Sequence, residues 1–245
     1  MAAVTISIED VRGVFNVLTV RLDGPRGNEL GIDLLKQLNG AFKVARSNRY
    51  SCLILKGSRH VFSVGARIDE LLDPSTDKKL LKELAKAVRQ LLKFQGLTVA
   101  AIEGYALGGG LELALSCDLL IGSETSQVGF PEVTLGILPG ASGIRLASMR
   151  VGSGKSLEML LSGRMVGSEQ AFELGLIDYR VKAGEADSFA HELCSKIAVV
   201  DSKQITKIKG LIRLSSGSVY RYSKAEQRAV IKLLDVARTN KMIRP

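Results

Sequence analysis

Gly104-Tyr105-Ala106-Leu107-Gly108-Gly109-Gly110-Leu111-Glu112-Leu113-Ala114 places three consecutive glycines and one carboxylate inside an otherwise apolar run. It follows a short buried strand expected over Thr98–Ile102, and the chain from Gly108 onward reads as a helix. A strand, a glycine turn and a helix in that order are a unit of a mostly parallel α/β fold. The glycines fit neither G-x-x-x-x-G-K-[ST] nor G-x-G-x-x-G, so this is not a phosphate loop. Their physical value is a tight turn with open backbone N–H groups at a helix N-terminus, where a developing oxyanion can be stabilised. Glu112 then falls in the first helical turn. Alone, that position fits a carboxylate that merely complements the helix dipole, with the glycines as a packing turn.

A second carboxylate lies twenty residues on, in Gly129-Phe130-Pro131-Glu132-Val133-Thr134-Leu135-Gly136-Ile137-Leu138-Pro139-Gly140. Both acids sit in apolar surroundings, where an ionised group is expensive to bury. Two carboxylates together can hold and activate a water or shuttle a proton.

Outward from this centre the strand–helix alternation continues. Val14–Leu22 and Ser51–Lys56 read as strands, with an amphipathic helix over Ile32–Ala45 between them. The N-terminus, Met1 to Asp10, also alternates like a strand. Residues 77–94 form a helix that Asp77 can cap, with Leu80, Leu81, Leu84, Val88, Leu91 and Leu92 on one face and a basic stripe, Lys82, Lys86, Arg89 and Lys93, on the other. Cys117–Ile121 is the next strand region. From about Lys155 the chain reads as mainly helical, with a loop at Ser215-Ser216-Gly217-Ser218. The expected organisation is an α/β core over 1–195 and a basic helical region over 196–245.

Length and composition narrow the class. The 245 residues suit one large domain, and 46% hydrophobic content is ample for a core. No apolar run is long enough to span a bilayer, and no signal-peptide pattern opens the chain. Three scattered cysteines, Cys52, Cys117 and Cys194, suit buried reduced thiols in a cytoplasmic compartment. No Cys/His cluster has metal-ligand spacing, so no metal is expected. His60 and His191 lack a nucleophile motif and read as structural. The net charge of +9 resides from Lys203 onward, where eleven Lys/Arg face Glu226 and Asp235 alone. Such a tail suits an anionic partner, another subunit or a solvated helical surface.

A further loop, His60-Val61-Phe62-Ser63-Val64-Gly65-Ala66-Arg67-Ile68-Asp69-Glu70-Leu71, turns on small residues after a strand. Taken together, the blocks resemble the crotonase family, the enoyl-CoA hydratase/isomerase superfamily. Phe62 to Ile68 is similar to its F-x-A-G-A-D-I loop, Gly104 to Leu113 to its N-G-x-A-x-G-G-G-x-E-L block, and Phe130 to Gly140 to its x-P-E-x-x-L-G-x-x-P-G block. Weaker echoes are Pro25 to Leu30, Leu160 to Gly163 and Ala171 to Ile177, and the match spans roughly 14–200.

The resemblance implies a crotonase-like spiral of ββα units with a C-terminal helical region that assembles a homotrimer or homohexamer. It implies an acyl-CoA substrate, with coenzyme A part of that substrate and no separate cofactor. The N–H groups of Ala66 and Gly109 would hold the thioester oxygen. Glu112 would hold the water and take its proton, and Glu132 would protonate C2. Val64, Gly65, Arg67, Ile68, Gly108, Pro131 and Gly140 would border the ligand, and Tyr105 would line the acyl pocket or simply pack. The implied reaction is hydration of a 2-enoyl-CoA in acyl-CoA metabolism. Alternatives within the family are double-bond isomerisation or dienoyl-CoA hydration, and outside enzymology RNA binding through the basic stripe, without the aromatic residues that stack bases.

The chain departs from the family pattern at four places. Arg67 replaces the usual Asp, as a cation expected to face solvent or a phosphate. Glu29 follows Asn28 where a small residue is usual. Gly140-Ala141-Ser142-Gly143-Ile144-Arg145-Leu146 is one residue short. The family's ending E-G-x-x-A-F-x-E-K-R-x-P-x-F is missing, leaving Lys224, Arg228 or Lys232 to close the CoA site.

Overall fold

The computed structural model describes residues 3–11, 15–47, 50–58, 60–197, 200, 202–214 and 219–239. Ten strands form two sheets. The larger takes β1 (Ala3–Val11), β2 (Phe15–Asp23), β3 (Cys52–Lys56), β5 (Leu97–Ile102), β7 (Leu119–Ser123) and β10 (Tyr179–Val181) in that order. The smaller takes β4 (Val61–Ser63), β6 (Tyr105–Leu107), β8 (Gln127–Gly129) and β9 (Met165–Gly167). The pairs β3/β4, β5/β6 and β7/β8 each give their first strand to the large sheet and their second to the small one. Repetition of that step winds the chain into a spiral. Among the described strands, β1 with β2 and β8 with β9 pair antiparallel and the other pairs are parallel.

Helices pack against these layers. After the single turn α1 (Pro25–Asn28) come α2 (Ile32–Ser47), α3 (Ile68–Leu72), α4 (Asp77–Leu92), α5 (Gly109–Leu115) and α6 (Gly143–Ser162). The chain continues through α7 (Ser168–Glu173), α8 (Ala186–Ile197), α9 (Ser202–Leu214) and α10 (Val219–Thr239). α4 follows its sequence pattern: Leu80, Leu81, Leu84, Val88 and Leu91 are buried, and Lys82, Lys86, Arg89 and Lys93 are exposed. Each buried leucine contributes roughly 2 kcal/mol by leaving water. The cap position is Thr76, with Asp77 the first helical residue, its carboxylate accepting the Lys78 amide.

Several sequence expectations need correction. β7 starts at Leu119, and Cys117 lies buried in the turn after α5. The region after Lys155 contains two strands, β9 and β10, besides its helices. The three-residue strands of the small sheet left no signal, because two pleats are too short to show alternation. The loop expected at 215–218 lies outside the described residues. All three cysteines are free and buried. Among the described residues no helix is long and apolar enough to cross a membrane.

Candidate active site

Two backbone loops meet below the C-terminal ends of the small sheet's strands. The first is shaped by Asn28, buried with φ of 58°. Its Oδ1 accepts the Gly24 amide at 2.8 Å, and its Nδ2 donates to the carbonyls of Val61 and Phe62 at 3.1 Å each. Ser63 Oγ donates to the Asn28 carbonyl at 2.8 Å and accepts the Gly65 amide at 3.2 Å. Leu30 N donates to Gly65 O at 2.8 Å and Arg67 N to Leu30 O at 3.3 Å. The amides flanking Ala66 are thus used within the loop, leaving that of Ala66 open.

The second loop is the glycine turn. Gly108 has φ of 50°, and its amide donates to Gly129 O at 3.0 Å. Gly109 opens α5, where N–H groups have no intrahelical acceptor. The two open amides are close: a Cβ on Gly109 would lie 3.6 Å from Ala66 N, and one on Gly65 would lie 3.3 Å from Gly109 N. Two convergent donors in an apolar recess form an oxyanion-binding geometry. A side chain at Gly108 would lie 2.9 Å from Glu132 Oε1, which gives that glycine a second reason to be small.

Glu112 is buried in the first turn of α5. Its Oε1 accepts the amides of Ala141 and Gly143, both at 2.7 Å. Burial pushes its carboxyl up to about 7, against the opposing pull of those amides. Glu132 stands on the 3-10 turn Pro131–Leu135. The residue is partly exposed, but its Oε2 is buried without a hydrogen-bond partner. Burial first, and the Glu112 charge second, push it up to about 8. Both carboxyls are thus raised toward neutral pH, Glu132 partly by the Glu112 charge.

Both acids line one pocket. Val64, Gly65, Ala66, Ile68, Gly108, Gly109, Pro131 and Gly140 line it too, so ten of the twelve residues singled out from sequence are brought together. Val64 and Ile68 are partly exposed. Tyr105 is exposed on β6 and Arg67 lies beside the pocket; neither lines it. Arg67 also does not face solvent as expected. It is largely buried and pairs with Glu70 at 2.7 Å and Asp33 at 3.3 Å, against Gly31, where any side chain would strike the guanidinium.

Sequence reasoning missed the apolar wall formed by Leu81, Leu84, Leu135, Ile137, Leu138 and Val230. It also missed Asn28 as the organiser of the first loop and Glu226 as a buried acid that accepts the amides of Ser142 and Arg145. The Gly27-Asn28 turn was the available signal for Asn28. Lys224, Arg228 and Lys232 are exposed on α10, whose inward residues are Glu226, Val230 and Leu234. Among the described residues no group of three or more His, Cys, Asp or Glu is placed to hold a metal ion.

A spiral of strand pairs presenting two convergent amides above paired glutamates defines a crotonase-fold enzyme. The enoyl-CoA hydratase/isomerase family model matches residues 13–240, and the chain belongs to that family. The chain is 31% identical to the 2,3-dehydroadipyl-CoA hydratase of Escherichia coli over 220 residues, 89% of this chain and 86% of the relative. It is also 31% identical to a probable enoyl-CoA hydratase of Bacillus subtilis over 227 residues, 91% and 85% of the two chains. The crystal structure of an enoyl-CoA hydratase from Bacillus halodurans superposes with a TM-score of 0.85 at 24% identity, covering 94% of each chain, a likeness of fold.

Proposed function

We propose that this enzyme adds water across the 2,3 double bond of an enoyl-CoA thioester. The observation that carries the reading is one pocket holding two open amides and two carboxylates whose proton affinities are both raised into the neutral range. The thioester oxygen takes the N–H groups of Ala66 and Gly109, which draw charge from C3 and stabilise the enolate-like state. Glu112, oriented by Ala141 and Gly143, accepts a proton from water as its oxygen bonds to C3. Glu132, protonated at neutral pH with its free Oε2, gives a proton to C2. One proton leaves water and one arrives at carbon, so the pair returns to its starting charge after one proton passes between the acids or through solvent. Leu84, Leu135, Ile137 and Val230 supply the apolar wall for the acyl chain. The apolar surface left at Leu157, Leu161, Met165 and Phe172 suits contact with further copies of the chain in a homotrimer or homohexamer.

The test is loss of enoyl-thioester absorbance with crotonyl-CoA, run in water labelled with heavy oxygen. Label in a 3-hydroxyacyl product supports hydration, whereas isomerisation incorporates none. Glu112→Gln and Glu132→Gln should each lower kcat by about 10²-fold or more while acyl-CoA binding persists. Near-normal turnover in either variant would remove that residue from its assigned role.

A further inference from the structure

The turn from Gly140 to Arg145 lies between two buried carboxylates. Ala141 and Gly143 donate their amides to Glu112 on α5. Ser142 and Arg145 donate theirs to Glu226 on α10, the second at 3.4 Å. The alternation has a local cause. Ser142 has φ of 95°, a conformation side chains avoid, and it turns successive amides to opposite sides. A strained residue persists only where its surroundings hold it, and the Glu226 bond to its amide is such a hold.

Glu226 is poorly explained as a source of stability. It is 8% exposed, its oxygens accept backbone amides, and a carboxylate buried this way loses hydration that such bonds only partly restore. Its helix is placed for a role at the site. Val230, one turn along, lines the pocket and lies against Gly140, while Leu234 is fully buried and Gln227 Nε2 donates to Leu81 O at 3.4 Å. The two acids also sense each other: burial and then the Glu112 charge push Glu226 up to about 8.

We propose that Glu226 is a positioning residue, gripping the outer amides of the 141–145 turn so that the inner amides stay aimed at Glu112. The proposal rests on the reading of Glu112 as the carboxylate that holds the attacking water. In that reading Glu226 touches neither water nor substrate, and its removal loosens the orientation of Glu112 without emptying the pocket. Partners that orient a catalytic group in this way are commonly worth about 10–100-fold in activity.

Glu226→Ala and Glu226→Gln, compared with wild type in the full-length chain, test it. The alanine variant should lose about 10–100-fold in kcat with crotonyl-CoA, with KM within about 3-fold. The glutamine variant keeps one acceptor oxygen and should recover most of the loss. Hydrogen exchange of the amides from Ala141 to Arg145 should quicken by about 10-fold or more in the alanine variant and less in the glutamine variant. A folded alanine variant with wild-type kcat, or equal kcat losses in both variants, would overturn the proposal. So would unchanged exchange of those amides. If the alanine variant does not fold, Glu226→Met, which fills the space without an acceptor oxygen, takes its place and is read by the same criteria. If wild type hydrates no acyl-CoA, the hydratase reading fails by itself, and exchange still decides whether Glu226 holds the turn.

Discussion

Gly143 sits where any side chain would meet the Glu112 carboxylate. A Cβ there would lie 2.8 Å from both Cγ and Oε1 of Glu112 and 2.9 Å from Cε1 of Phe130. Gly143→Ala should therefore displace Glu112 while leaving its chemistry intact, and kcat should fall by about 10²-fold, since a shift near 1 Å has that effect on a positioned group. Steady-state kinetics of a variant with unaltered circular dichroism would check this; wild-type kcat would show that the carboxylate tolerates the shift. Asn28 is the matching residue for the loop that carries Ala66. Replacing it with Ala removes the acceptor for Gly24 and the donor to Val61 and Phe62, at a positive φ that Ala disfavours. The expected loss is about 2–3 kcal/mol, measured by urea unfolding.

Specific contacts tie the C-terminal helices to the core. Lys209 of α9 is nearly buried, and its Nζ donates to the carbonyls of Phe94 and Gly96 at 3.0 and 2.6 Å and pairs with Asp118 at 2.5 Å. In the sequence it is one of eleven cations in a basic tail. Lys209→Met keeps the stem but strands two carbonyls and removes the cation paired with the part-buried Asp118, so unfolding free energy should drop by about 3 kcal/mol. Guanidinium unfolding measures it, and a change below about 0.5 kcal/mol would place Lys209 among ordinary surface cations. By contrast the α4 stripe is solvated as the sequence suggests. It faces Lys36, Lys43 and Arg46 of α2 across a shallow groove containing Glu83.

Across the whole molecule, the buried glutamates set a pH dependence. Glu112, Glu132 and Glu226 are raised from an ordinary 4.5 to about 7, 8 and 8. The folded state therefore holds protons that the unfolded state releases. Their stabilising contribution is complete below about pH 4.5 and is lost as pH rises through 7 to 8. Asp187 has the opposite sign: hydrogen bonds from His191 and then Lys56 outweigh its partial burial and lower it to about 2, so its contribution disappears as pH falls from near 4 through 2. Tm should decline from pH 6 to 9, and Glu132→Gln should flatten that decline. A Tm constant across this range in wild type would contradict the burial of these acids. Leu161→Glu, on the exposed apolar surface, should lower the mass in sedimentation from an oligomer toward a monomer.

Local pattern determined a great deal. Glycine spacing marked both turns of the site, periodicity marked α2 and α4, and Glu112 and Glu132 stood out because a carboxylate in an apolar run is costly. Ten of the twelve singled-out residues line one pocket, and each lies in one of the turns that pattern marked or in the helical turn beside it. Tertiary structure alone decided that Glu226 returns from 84 residues beyond Ser142 to accept its amide, that Arg67 is held by Asp33 and Glu70, and that Val230 completes the apolar wall of the pocket. Those facts depend on which distant surfaces meet once the spiral has wound. Helical and strand periodicity says which face of an element is buried, and carries no information about what it is buried against.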